Sequence, residues 1–315
     1  MGPLSATIEA GQIVGLLGLN GAGKTTSLRI LACDLLPTSG TVQVDGVDVV
    51  EEPTRVRAMT GYLPEIPPLY GEMTVHEFLY FAARLRRIPS AELEDRVRQV
   101  EQLTGVRKVR NQAVFSLSHG FRQRLGIAQA IVHRPRLVVL DEPMSGLDPV
   151  QIVEMRKLVR NLKGEHTVVV SSHILSEISE MCDRILVIRD GEISAAGTEQ
   201  ELCQTLLSGM QVTVSVRETP QLDATDVQGL LAAVGGVKSV TAVAPAESGS
   251  GIATFEVQCS SDARERIARA LVSGGAPLLQ LSRSERELES VFLRLSGQEP
   301  GLGAAGPAST MEEAQ

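Results

Sequence analysis

Gly18-Leu19-Asn20-Gly21-Ala22-Gly23-Lys24-Thr25-Thr26 is the stretch that decides how this chain folds. The apolar run 12–17 before it reads as a strand, and the run 27–36 behind it carries apolar residues at helical spacing. Gly18, Gly21 and Gly23 let backbone N–H groups turn inward around an anion. Lys24 then reaches for the outer phosphates of a nucleotide, and the Thr25 hydroxyl is placed to hold Mg²⁺. The positive end of the following helix points at the same anion. A plain glycine-rich turn from strand to helix needs neither Lys nor Thr after its last glycine, so the stretch is read as a phosphate-binding loop.

At 315 residues and 43% hydrophobic content, the chain is long enough for two domains with cores of their own. Its formal charge of -8 argues against a nonspecific nucleic-acid surface, which needs a basic footprint. Cys33, Cys182, Cys203 and Cys259 show neither CxxC nor Cys/His spacing. Zinc and a disulfide framework are not expected, and the thiols are read as free in a reducing cytoplasm. The first residues lack the basic and apolar blocks of a signal peptide, and Ala6 breaks the myristoylation pattern that Gly2 opens. No apolar run approaches the roughly 20 residues that span a bilayer. The expectation is a chain that is soluble by itself.

Outward from the loop, Pro37-Thr38-Ser39-Gly40 is a turn, and 41–44 with Asp45-Gly46 reads as a strand entering a hairpin. A short strand over 58–63 stops at Pro64-Glu65-Ile66-Pro67-Pro68. Thr74 caps an expected helix over 75–87 and Ser90 another over 91–103, within a helical insert at about 72–133. The chain has three Tyr, six Phe and no Trp, and Tyr62, Tyr70, Phe78, Tyr80 and Phe81 all fall in or just before that insert. Such clustering fits a docking surface, since aromatics are enriched in interface cores, and fits equally the insert's own small core. Leu117-Ser118-His119-Gly120-Phe121 opens a helix to about His133, with Ser118 as cap and Gly120 leaving the backbone approachable. Alone that is a capping motif. It is nevertheless a second anion-binding helix start, suited to a nucleotide held by another subunit.

Residues 136–140 form a continuous apolar strand of the buried parallel type. Asp141 and Glu142 stand at its carboxyl end, where open α/β sheets bind ligands. Two carboxylates there can simply cap a turn. Downstream of a phosphate loop, Asp141 is read as the Mg²⁺ partner and Glu142 as the group that orients and deprotonates the attacking water. Ser145-Gly146-Leu147-Asp148-Pro149 turns into a helix over 150–163, and a strand over 167–171 ends at Ser171-Ser172-His173. Because the preceding strands both end in site residues, His173 is expected to face the γ-phosphate. A hairpin over 184–195 about Asp190-Gly191 and a helix from about Thr198 complete a first domain, 1–208.

Beyond Gln211 the texture changes. Strands are expected over 211–216, 237–243, 252–257 and 278–281, with helices over 225–234 and 262–272. Ser284 and Glu287 make a capping box for a last helix whose Leu288, Val291, Phe292 and Leu295 share one face. The order β-α-β-β-α-β suggests a ferredoxin-like α+β domain over 209–297. It carries no acid/base cluster and is read as regulatory or interaction-making. A Gly/Ala/Pro-rich tail, 298–315, is expected to be disordered.

Taken in order, GLNGAGKTT, LSHGF, LVVLDEP, SGLD and SSH resemble the Walker A, signature, Walker B, D-loop and switch-histidine motifs of ABC transporter ATP-binding subunits, over roughly residues 5–205. YLPEIPPLY, LSHGFRQR and ESVFLRLSG look like the exporter-type subfamily with separate membrane subunits, including those of gliding motility and of drug or polysaccharide export. The resemblance implies a P-loop NTPase core with a parallel sheet, an antiparallel β subdomain and a helical signature subdomain. It implies ATP and Mg²⁺, and hydrolysis coupled to transport by a head-to-tail pair of nucleotide domains that sandwiches two ATP molecules. Lys24 and Thr25 of one subunit and Ser118 and Gly120 of the other then hold one triphosphate, with Asp148 at the interface. Glu142, His173 and Lys24 are the implied catalytic residues, and Thr25, Asp141 and Glu65 the metal ligands. A multi-span permease docking near 65–81 holds the chain at the cytoplasmic face of the membrane. No nucleic-acid partner is implied.

Three features depart from the family pattern. Glu65 stands where the family has glutamine, a carboxylate that still meets Mg²⁺ but cannot donate a hydrogen bond to water. His119 replaces a signature glycine, while Ser118 and Gly120 remain. Residues 1–17 contain no Phe, Tyr or Trp, where family members carry further strand and an aromatic stacked on adenine. Base stacking is worth about 1–3 kcal/mol, so weaker, less base-selective nucleotide binding and an incomplete antiparallel edge are expected. Two other readings stand against transport. ATPases of DNA repair or ribosome rescue carry long coiled coils, zinc modules or a second nucleotide domain, and none is present in this sequence. A turnover-deficient regulatory subunit is disfavoured by the intact Glu142 and His173.

Overall fold

The structure is a computed structural model, and it describes residues 2, 4–206, 210–217, 222–243 and 251–283. The chain divides into two compact units, Met1–Cys203 and Gln204–Gln315. In chain order the first holds β1 (Ile13–Leu17), α1 (Lys24–Leu31), β2 (Gln43–Val44), β3 (Val47–Asp48), α2 (Pro53–Met59), β4 (Thr60–Leu63), α3 (Val75–Leu85), α4 (Leu93–Leu103) and α5 (His119–Ile131). Then come β5 (Leu137–Leu140), α6 (Pro149–Asn161), β6 (Thr167–Ser172), α7 (Leu175–Ser179), β7 (Arg184–Arg189) and β8 (Glu192–Gly197), followed by α8 (Glu199–Leu206).

The six-stranded sheet runs β4-β5-β6-β1-β7-β8. It is parallel except for the closing β7–β8 pair. All five residues of β1 are buried, as a strand covered on both faces must be, which is why its sequence is continuously apolar rather than alternating. One face packs Val14, Leu16, Val139, Val169 and Leu186 against Leu28 of α1 and Val56 of α2. On the other side α5 lies so close to β4 that a Cβ on Gly61 would stand 2.0 Å from the Ala130 carbonyl oxygen. The antiparallel element is the two-residue ladder β2–β3, turned by Asp45 (φ 52) and Gly46 (φ 76).

In the helical insert Thr74 caps α3 as expected, with Glu77 completing the reciprocal box. The aromatic cluster is part core and part exposed surface. Phe78 is buried at 2% exposure while Tyr70 is 56% exposed, and Tyr70 touches Phe78 and Phe81 at 6.2 and 5.6 Å between ring centroids.

Several element limits differ from expectation. The first helix begins at Lys24 and stops at Leu31, because Cys33 takes φ 56 and the Asp34 N–H folds back to the Arg29 carbonyl. The run 58–63 is strand only from Thr60, its start belonging to α2. Ser90 does not cap α4, whose N-cap is Glu92 without a side-chain bond.

The second unit holds β9 (Met210–Arg217), α9 (Ala224–Ala232), β10 (Val237–Val243), β11 (Ile252–Cys259), α10 (Arg264–Ser273) and β12 (Leu278–Arg283). Its sheet is antiparallel in the order β10-β11-β9-β12. Val212, Val214, Phe255 and Val257 pack on Val227 and Leu231 of α9 and Ile267 and Leu271 of α10. This is the ferredoxin-like order read from the sequence. The expected last helix with Leu288, Val291, Phe292 and Leu295, and the tail after it, lie outside the described residues.

Candidate functional site

Three adjacent parallel strands deliver side chains to one cleft of about 440 Å³ at their carboxyl ends. Behind β1 the loop turns at once. Gly18 leaves room only for hydrogen, since a Cβ there would meet the Ile188 carbonyl oxygen at 2.6 Å. Gly21 and Gly23 take φ 84 and 108, conformations that L side chains rarely adopt. Lys24 follows directly as the first residue of α1 and is 5% exposed. Its ammonium donates to the Gly18 carbonyl at 2.8 Å and lies 3.2 Å from Glu142 Oε1.

At the end of β5 Asp141 is buried, with Oδ1 accepting from the Ser171 hydroxyl at 2.7 Å and the Thr25 hydroxyl at 3.3 Å. The same Ser171 oxygen accepts the Glu142 N–H at 2.8 Å. One serine thereby fixes both carboxylates, and Glu142 is held at φ 46, a strained backbone for a residue with Cβ. His173, beyond β6, lies with Nδ1 3.0 Å from Glu142 Oε2. Glu142 is therefore clasped between Lys24 and His173. Burial, and after it the Asp141 charge, pushes the Tyr62 phenol up to about 12.

The cleft is lined by Asn20, Gly21, Gly23, Lys24, Thr25, Thr26, Glu65, Glu142, Ser145 and His173. Gly18, Leu19 and Ala22 form the base of the loop, with the Ala22 N–H donating to the Leu19 carbonyl. Among the described lining residues none is Phe, Tyr or Trp. Ser118, Gly120 and Asp148 are not brought into this cleft. Ser118 accepts the Phe121 N–H at 3.4 Å as cap of α5, and Asp148 accepts the Gln151 N–H at 2.9 Å as cap of α6.

Sequence reasoning missed Ser171 as a site residue, and missed Glu177 in α7. The Ser172 hydroxyl donates to Glu177 at 2.6 Å, and burial pushes that carboxyl up. The one sequence signal was the Ser-Ser pair at a strand end.

A family model described as ABC transporter matches residues 1–145. Over 215 residues the chain is 38% identical to the uncharacterized ABC transporter ATP-binding protein YxlF of Bacillus subtilis (strain 168), covering 68% of this chain and 71% of that protein. This chain belongs to the ABC transporter family. It is 38% identical over 192 residues to the bacitracin transport ATP-binding protein BcrA of Bacillus licheniformis, covering 60% of this chain and 62% of BcrA. The dimeric structure of the bacterial ABC transporter cassette MJ0796 matches with a TM-score of 0.56 at 25% identity, over 61% of this chain and 88% of that one. So does its dimeric post-hydrolysis state bound to ADP and Pi. As an ABC ATP-binding subunit, the chain binds and hydrolyses ATP.

The family's use of Mg²⁺ can be tested on the residues present. Asp141 Oδ2 is buried and has no hydrogen-bond partner among the described residues, an expensive arrangement unless a cation meets it. The Thr25 hydroxyl stands beside the same carboxylate, and Glu65 adds an oxygen donor in the cleft wall. Hard oxygen ligands of this kind suit Mg²⁺.

Proposed function

We propose that this chain powers export through a separate membrane-embedded partner, closing as a head-to-tail pair over two ATP molecules and reopening on hydrolysis. The observation that carries the reading is the convergence of Lys24, Thr25, Asp141, Glu142 and His173 on one cleft, while Ser118 and Gly120 stand at a helix start outside it. Residues that cannot act on this chain's own nucleotide are then free to complete a neighbour's.

In this reading the loop amides and Lys24 hold the β- and γ-phosphates. Asp141, Thr25 and Glu65 hold Mg²⁺, which neutralises phosphate charge when bound. Glu142 accepts the proton of the attacking water, and His173 fixes the Glu142 carboxylate while reaching the γ-phosphate. Ser118 and Gly120 meet the partner's triphosphate, with Asp148 at the interface. The intact 3.0 Å contact between His173 and Glu142 speaks for turnover over a purely regulatory role. No Phe, Tyr or Trp lines the cleft among the described residues, so base selectivity is expected to be low.

No helix among the described residues is long and apolar enough to cross a membrane. Membrane association is accordingly proposed through the partner, at the cytoplasmic face. Ile66 at 83% and Tyr70 at 56% exposure, with Tyr70 against Phe81 of the apolar groove of His76, Glu77, Tyr80, Phe81 and Arg84, support docking near 65–81. BcrA's name, bacitracin transport ATP-binding protein, supports a bacitracin-like cargo.

Size-exclusion chromatography of Glu142→Gln with and without Mg²⁺-ATP tests the sandwich. An ATP-dependent shift from monomer to dimer is expected. A monomer that binds ATP without shifting would refute dimer closure by this chain alone.

A further inference from the structure

The start of α5 is tied to the turn that follows Glu142. His119 Nε2 lies 2.9 Å from the Ser145 carbonyl oxygen. A carbonyl only accepts, so Nε2 carries the proton and donates. The ring also lies along the Ser145-Gly146 peptide, since a Cβ built on Gly146 (φ 71) would meet it at 3.4 Å. One residue on, a Cβ at Gly120 would stand 2.6 Å from Gln151 Oε1, so the Gln151 side chain of the first turn of α6 lies against the first turn of α5. Ser145 in turn belongs to the reacting end of the sheet. Its N–H donates to the Glu142 carbonyl at 3.1 Å, and it lines the cleft beside Lys24 and Glu142.

We propose that His119 is a positioning residue for hydrolysis. By holding the Ser145 carbonyl it fixes the turn after Glu142 relative to the helix start that carries Ser118 and Gly120. A glycine at position 119 has no atom that reaches Ser145, so the histidine adds a link that the glycine-bearing signature lacks. The inference rests on the reading above, in which Glu142 serves this chain's nucleotide and Ser118 a neighbour's. One hydrogen bond then joins the two half-sites of a single subunit, so that disorder at one is felt at the other.

The test is steady-state hydrolysis by His119→Ala, His119→Gly and His119→Gln in the full chain. Alanine and glycine should lower kcat by about three- to tenfold, the size of one net hydrogen bond, with KM for ATP within about twofold of the parent. Glutamine, whose amide N–H has similar reach, should recover at least about half of the parental kcat. Hydrogen exchange should quicken in the segment 143–151 of the alanine variant and stay unchanged in 13–25. Parental kcat in both deletion variants, a loss carried by KM, or failure of glutamine to recover activity in a folded protein would overturn the proposal. If alanine alone unfolds the chain, the glycine and glutamine variants decide. Parental hydrolysis by Glu142→Gln would instead refute the base assignment and leave the His119 comparison standing.

Discussion

Replacing Glu142 by Gln separates binding from chemistry, because the structure gives this carboxylate two jobs. It is 8% exposed, 3.2 Å from Lys24 Nζ and 3.0 Å from His173 Nδ1. An amide of the same shape cannot take a proton from water. General-base removal costs about 10²–10⁴-fold, so kcat is expected to fall by about three decades. Binding should move the other way. Opposite unit charges at this separation attract by about 5 kcal/mol at an effective dielectric of about 20, but desolvation offsets most of that. The gap between a charged and a neutral hydrogen-bond partner, about 1 kcal/mol, is the better guide. Lys24 keeps the Gly18 carbonyl, and its remaining charge awaits a phosphate. ATP affinity should therefore rise by about fivefold, on the scale of tenfold per 1.4 kcal/mol. Calorimetric titration with ATP beside a phosphate-release assay measures both. Hydrolysis within about tenfold of the parent would refute the role of Glu142, and weaker ATP binding would refute the competition for Lys24.

Lys24→Ala removes the one Lys or Arg among the described lining residues, and should weaken ATP binding by about 30-fold or more, the loss of a charge-assisted contact; calorimetry reads it directly. Gly61→Ala places a methyl 2.0 Å from the Ala130 carbonyl oxygen and should destabilise the first unit by about 3 kcal/mol. Gly229→Ala in α9 meets nothing within 4 Å and should be neutral or stabilising, so scanning calorimetry of the pair calibrates the packing argument. Burial lowers the His133 imidazole from 6.5 to about 4, with Nε2 donating to the Thr60 carbonyl. The folded chain thus resists a proton that the unfolded chain accepts. Its contribution, on the order of 1–3 kcal/mol, is present above pH 6.5 and lost as pH falls toward 4. Denaturant titrations across that window should show a shallower pH slope in His133→Gln, and equal slopes would refute the assignment.

The cleft was legible in the sequence wherever chemistry fixes spacing. A phosphate loop needs its glycines and Lys24 in consecutive turns of backbone, and Asp141 with Glu142 announces itself at the end of an apolar strand. What stayed hidden depends on tertiary placement. The paired hydrogen bonds of the Ser171 hydroxyl, donating to Asp141 and accepting from the Glu142 N–H, exist only once β5 and β6 lie side by side. Helix α2 was invisible because Val56 is its one buried residue, too little for an apolar stripe. Helix α7 spans five residues, shorter than any window in which period shows. The aromatic cluster stayed ambiguous because the sequence cannot say that Phe78 turns inward while Tyr70 stays out.

The central place of β1 has a consequence for how the chain comes off the ribosome. Ile13 pairs with Val168 and Val14 with Arg184, so the strand that carries the nucleotide loop has both neighbours more than 150 residues downstream. Contacts of such separation close slowly. At about 5–20 residues per second of synthesis, an all-apolar strand waits roughly 8–30 s before its first sheet neighbour is made. The nascent chain is exposed to aggregation and chaperone capture in that interval, and the loop behind β1 is secured only after the later strands β6 and β7 have been made.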